Sequence, residues 1–230
     1  VVLTNFIGDT HSLFTLAHEL GHCMHSYYSD ATQNYNQAGY TIFVAEVAST
    51  VNETILIDYL LKNAQNKDEK LYILNNYLEE FRGTVFRQTM FAEFEKATHW
   101  EVESGRTLTA EKLNKMYYGL NSEYFGKIIN ADDNIALEWS RIPHFYRAFY
   151  VYKYATGFSA AQALAQGLLD PDPLKAKKAR EGYIRFLSAG DSLEPIAALK
   201  EAGVDMTTTE PVEAAMKIFG QRLAEIKALL

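Results

Sequence analysis

Apolar Leu13, Leu16, Ala17, Leu20 and Met24 recur at three- and four-residue steps, a period that predicts a helix over residues 12–28. The polar, glycine-containing run "SDATQNYNQAGY" at 29–40 predicts a loop. Residues 42–61, "IFVAEVASTVNETILIDYLL", are apolar on most sides, the pattern of a buried helix. Residues 68–103 read as one long or broken helical stretch with Gly83 inside it. Further helices fit 109–124, 147–169, 172–187 and 209–230. Asp172 is placed to cap its helix with Pro173 at the first helical position, and Thr209 and Pro211 repeat the arrangement. The chain opens differently: the β-branched run "VVLTNF" predicts a short N-terminal edge strand. The expected class is therefore mainly α. An edge strand with so few candidate partners reads as a cut inside a larger protein.

Composition narrows the picture. A chain of 230 residues, 48% hydrophobic, can bury a substantial core and suits one large domain or two intimately packed ones. No repeat or low-complexity linker divides it. A formal net charge of −7 excludes a nucleic-acid partner, and "KAKKAR" at 175–180 is a solvated helix face. There is no apolar run of about eighteen residues and no charged-then-apolar leader, so neither a membrane span nor a signal peptide is expected. Cys23 stands alone, which excludes an internal disulfide and fits a reducing, cytoplasmic setting. Oligomeric state is not legible.

The chemistry starts in "LAHELGHCMHSYY". Residues four apart on a helix share a face, so His18 and His22 can point their imidazoles at one cation. Glu19 lies one step round, where it can reach a metal-bound water without being a ligand. The competing reading is two histidines placed there by accident. His25 lies about 10 Å along the axis from His18, whereas ligands about 2.1 Å from one zinc are only ~3–4 Å apart. His25 therefore lines the cleft or caps the helix end. Glu46 stands alone among apolar residues in "TIFVAEVAST", and a carboxylate there is costly to bury unless a charge neutralises it. It is either the third ligand or a helix-start glutamate facing solvent. Ser49 and Glu53 share its face; one of them can orient a ligand histidine, or Glu53 is an ordinary surface residue. Cys23 reads as an inert thiol, and His11 and His99 read as surface residues.

Three blocks in order, "FTLAHELGHCMHSYY", "AGYTIFVAEVAST" and "RIPHFYRAFYVYKYATGFSAAQAL", resemble the zinc oligopeptidases of the oligoendopeptidase F branch, relatives of thimet oligopeptidase. The resemblance spans nearly the whole chain. It implies Zn2+ on His18, His22 and Glu46 with Glu19 as general base. It also implies a helical, zincin-like body whose cleft admits short, unstructured peptides. Family members are longer, their extra residues preceding the metal motif, so residues 1–230 are expected to be the C-terminal catalytic portion without the N-terminal lobe. Relatives use a histidine and one or two tyrosines from the third block to steady the oxyanion. Spacing from the histidine suggests His144, Tyr150 and Tyr154, the two tyrosines sharing a helix face, with Tyr146 and Tyr152 as rivals. Gly157 permits close packing or is a tolerated helix glycine. The competing function is a zinc-stabilised helical module that binds peptide without turnover, in which His25 would be a fourth ligand; a hydrolase of non-peptide amides would use the same site.

Overall fold

Asp9 starts the first helix by accepting the Ser12 N–H at 2.8 Å, which satisfies one of the unpaired donors of a helix N-terminus. In this computed structural model, residues 1–126 and 132–230 are described. Helix α1 covers Thr10–Thr32 and runs past the predicted end at residue 28, because Ser29, expected in the loop, is buried on the helix with its hydroxyl donating to the Ala38 carbonyl at 2.5 Å. Helix α2 covers Ile42–Asn63 and α3 covers Lys67–Phe81. A π-helical turn at Arg82–Phe86, containing Gly83, interrupts the stretch expected as one long or broken helix, and α4 follows at Arg87–Glu103. Helix α5 (Ala110–Phe125) is capped by the Thr109 hydroxyl, which accepts the Lys112 N–H. Helices α6 (Tyr152–Leu168), α7 (Pro173–Ser188), α8 (Pro195–Glu201) and α9 (Glu210–Leu229) complete the order, with Asp172 capping α7 as its sequence predicts.

The expected N-terminal edge strand is not seen. Among the described residues there is no strand for it to pair with, and Val1, Leu3 and Ile7 are exposed. A β-branched run without a partner edge has no ladder to satisfy its backbone. The helix predicted from residue 147 begins instead at Tyr152, because Phe149 takes a left-handed φ of +54° that no right-handed helix accommodates. The short α8 and the 3-10 segments Asp133–Arg141 and Pro143–Tyr146 span too few turns for periodicity to reveal.

The chain divides into two compact units, residues 1–81 with 156–230, and residues 82–155. In the first, α1 lies against α2 and α7, and α3 against α9. Its core is built from Val44, Val47 and Val51 of α2, Ala160, Ala161 and Leu164 of α6, Phe186 of α7 and Leu199 of α8. Burying each larger apolar side chain stabilises the unit by about 1.5–3 kcal/mol. Helix α2 is thus enclosed on most faces, as a sequence apolar on most sides requires. Gly157 is buried in α6, but a Cβ there would make only ordinary contacts at 3.9 Å, which is the behaviour of a tolerated helix glycine.

The second unit packs Met90, Phe91 and Phe94 of α4 against Tyr117 of α5, with Ile142, Val151, Trp139 and Phe145 around them. Glu138 is buried there, accepting from Tyr117 Oη and Arg87 Nη2, each at 2.6 Å, and from Arg141. Those donors hold its carboxyl below the ordinary carboxylate range against the opposing effect of burial. Among the described residues no helix is long and apolar enough to cross a membrane.

Candidate functional site

Helices α1 and α2 cross closely at Gly21, and Asn52 of α2 ties the pair by donating from Nδ2 to the Ala17 carbonyl at 2.9 Å. This contact sets the side chains of His18 and His22, one turn apart on α1, beside Glu46 of α2. Nε2 of His18 and Nε2 of His22 lie 3.1 Å apart, and Glu46 Oε2 lies 3.2 Å from the first and 3.6 Å from the second. Donors about 2.1 Å from a tetrahedral zinc sit roughly 3.4 Å from one another, so the residues present fit the metal. His18, His22 and Glu46 form the one such group of three or more among the described residues, and it is half-buried rather than sealed.

The groups around the triad fix its geometry and charge. Glu53, seven residues beyond Glu46 on α2, lies with Oε1 3.2 Å from Nδ1 of His18. That bond assigns the proton of a neutral His18 to Nδ1 and leaves Nε2 free as an acceptor. Ser49 turns to Glu46 instead, its hydroxyl lying 3.3 Å from Oε2 while donating to the Glu46 carbonyl at 2.9 Å. Of the two residues proposed to orient a histidine, Glu53 is the one placed to do so. Hydrogen bonding to Glu46, then to Glu53, raises the His18 imidazolium to about 10, and the bond to His18 in turn lowers Glu46. Two carboxylates that hold a proton so firmly on His18 make a field suited to a dication. Behind His18 a cavity of about 450 Å³ is lined by Glu53, Tyr72, Asn76 and Glu80. Burial, assisted by the Glu53 charge, pushes the Glu80 carboxyl up to about 7. Glu46 and Glu53 are the two carboxylates within 3.2 Å of the His18 ring nitrogens.

Glu19 follows His18 on α1, half-buried and outside the group of three. His25 neither joins that group nor caps the helix, which continues to Thr32. It is 1% exposed and stacked on Tyr40, with ring centroids 3.7 Å apart and planes 6° from parallel. Burial lowers its imidazole to about 4, keeping it neutral. Cys23 is a half-buried free thiol, and His11 is exposed. His99, expected on the surface, is half-buried against the Phe149 ring, with centroids 4.6 Å apart.

In the second unit the structure brings His144, Tyr150 and Tyr154 together. Tyr154 Oη lies 3.3 Å from His144 Nε2, and the Tyr150 ring is 5.7 Å from His144 and 5.6 Å from Tyr154. Tyr150 reaches Tyr154 from the turn before α6, not from the shared helix face that a four-residue step suggested. Arg147 and Lys153 both approach the Tyr150 ring, at 5.9 and 5.3 Å from its centroid. The rivals Tyr146 and Tyr152 are 85% and 40% exposed. Sequence reasoning missed Glu80 and Glu95. Glu79 and Glu80, like Glu93 and Glu95, are near neighbours of the same type whose burial only the fold distinguishes.

Comparison with known proteins bears on these arrangements. Peptidase family M3 matches residues 1–218. Oligopeptidase PepF of Bacillus subtilis is 54% identical over 229 residues, covering 100% of this chain and 34% of its own length. Group B oligopeptidase PepB of Streptococcus agalactiae is 44% identical, with 100% of this chain and 37% of its own covered. The crystal structure of oligoendopeptidase F from Enterococcus faecium superposes with a TM-score of 0.83 at 48% identity, over 95% of this chain and 39% of that one. The chain thus spans about a third of the length of the curated relatives it matches. With the match to the family extending over nearly all of its residues, the chain belongs to peptidase family M3.

Proposed function

We propose that this chain is the metal-binding, catalytic portion of a zinc-dependent endopeptidase that hydrolyses short, unstructured peptides. The observation that carries the reading is the set of 3.1–3.6 Å separations among His18 Nε2, His22 Nε2 and Glu46 Oε2. Three protein donors leave one coordination position open, the mark of a catalytic rather than a structural zinc. His25, the residue that could close the site, is instead engaged by Tyr40. Zinc, when bound, lowers the pKa of water toward neutrality and polarises a carbonyl.

The chain's own residues divide the remaining work. Glu53 holds His18 in the tautomer that presents Nε2. Glu19 takes the proton from the attacking water and passes it to the departing amine. His144, Tyr150 and Tyr154 donate hydrogen bonds to the carbonyl oxygen as it gains negative charge, an effect of about 3–4 kcal/mol per well-placed donor. The peptide class follows from the oligopeptidase relatives, and a reducing, cytoplasmic setting fits the single free thiol of Cys23.

The test is hydrolysis of a quenched fluorescent peptide by the 230-residue chain. Activity should vanish with chelator and return with zinc. Glu19→Gln should retain zinc but lose at least 100-fold in kcat. Chelator-insensitive cleavage, or full activity of Glu19→Gln, would overturn the reading.

A further inference from the structure

Phe149, at φ +54°, is the one non-glycine among the described residues with positive φ. A bulky side chain rarely enters that region, because its Cβ crowds the following carbonyl. Two groups one turn apart on α4 hold it there. Glu95, 5% exposed, accepts the Phe149 N–H through Oε1 at 2.7 Å, and His99 lies against the Phe149 ring. The ring itself leaves Phe149 50% exposed, so burial does not account for the conformation. Backbone strain of this kind persists where its surroundings over-determine it, and it collects where neighbouring groups must be aimed. The residue that follows is Tyr150, the tyrosine of the His144, Tyr150 and Tyr154 cluster that stands outside α6.

We infer that Glu95 is a positioning residue: its grip on the Phe149 N–H fixes the turn that aims Tyr150 into the cluster with His144 and Tyr154. The inference rests on the donor role proposed for that cluster. A buried carboxylate is a stronger acceptor than a neutral group, and α4 supplies a rigid base from which to hold the turn. His99 braces the same residue through its ring, so the backbone and the side chain of Phe149 are gripped from one helix face.

Two readouts on the full chain test this, one of them independent of turnover. Hydrogen-exchange mass spectrometry should show amides 147–151 exchanging at least ten times faster in Glu95→Ala, with the core of α4 unchanged. In the peptide assay the same variant should lose about tenfold or more in kcat while KM moves less than threefold and zinc content stays at the wild-type level. Glu95→Gln, which keeps an acceptor oxygen, should recover most of both. Adding Phe149→Gly to Glu95→Ala should restore part of the kcat, since glycine adopts positive φ without strain. Unchanged exchange in Glu95→Ala would overturn the clamp. Faster exchange with unaltered kcat would overturn its link to turnover. If the wild-type chain cleaves no peptide, the proposed function is what has failed, and the exchange measurement still decides whether Glu95 holds the turn.

Discussion

A Cβ built on Gly21 of α1 would lie 2.5 Å from the Cα of Ser49 on α2. Backbone meets backbone at this point, between the two histidines on one side and three residues beyond Glu46 on the other. The third donor reaches His18 and His22 because nothing stands between the helices. Gly21→Ala should force them apart, destabilising the fold by about 1–3 kcal/mol and weakening zinc binding at least tenfold. Thermal unfolding and a zinc titration on the same sample check both effects, and an alanine variant with unaltered affinity would show that the crossing does not set the site.

Glu53 touches His18 from the side away from Glu46, at 3.2 Å. Replacing it with alanine should lower zinc affinity by about 10–100-fold without removing a donor from the triad. Glu53→Gln keeps an acceptor for Nδ1–H but loses the charge, and should fall between the two. Competition against a chelator of known affinity ranks the three proteins.

The buried His25 predicts an acid-side loss of stability. Its folded pKa, about 4, lies below the ordinary value of 6.5, so between those limits the unfolded chain binds more protons than the folded one. Stability should therefore be lost as pH falls from 6.5 toward 4, by up to about 3 kcal/mol from this group. Urea midpoints measured across that range should slope less steeply in His25→Phe than in the wild type. Parallel slopes would mean that His25 is not held neutral.

Tyr154→Phe removes the hydroxyl that lies 3.3 Å from His144 Nε2. A donor used only as the carbonyl oxygen gains charge should lower kcat by about 10–100-fold and leave KM nearly unchanged. Steady-state kinetics on one fluorogenic peptide separate the two parameters. A change confined to KM would make Tyr154 a substrate-binding group instead.

Much of the first unit could be read from residue pattern because its elements are long and its motif is local. The four-residue step of His18 and His22 places them on one face in any regular helix. Glu46 stood out because the fourteen or so residues around it hold so few charges, and the convergence of the three follows once α2 folds back along α1. Glu53 is ambiguous in sequence, since a glutamate in "VNETIL" is equally consistent with a salt-bridged surface position. The second unit was less legible. Tyr150 looked helical by its spacing from Tyr154, yet the αL turn at Phe149 comes from a tertiary contact with Glu95, 54 residues earlier, that no local pattern contains. The β-branched opening suggested a strand by propensity alone, and propensity without a partner edge makes no sheet.

The placement of His18, His22 and Glu46 calls for a single divalent-metal site made by two imidazoles and a carboxylate. Equilibrium zinc titration of the wild-type chain beside Glu46→Ala tests it most directly. One site per chain is expected, with affinity at least 100-fold weaker once the carboxylate is gone. Equal affinity in the two proteins, or no stoichiometric site in the wild type, would contradict it.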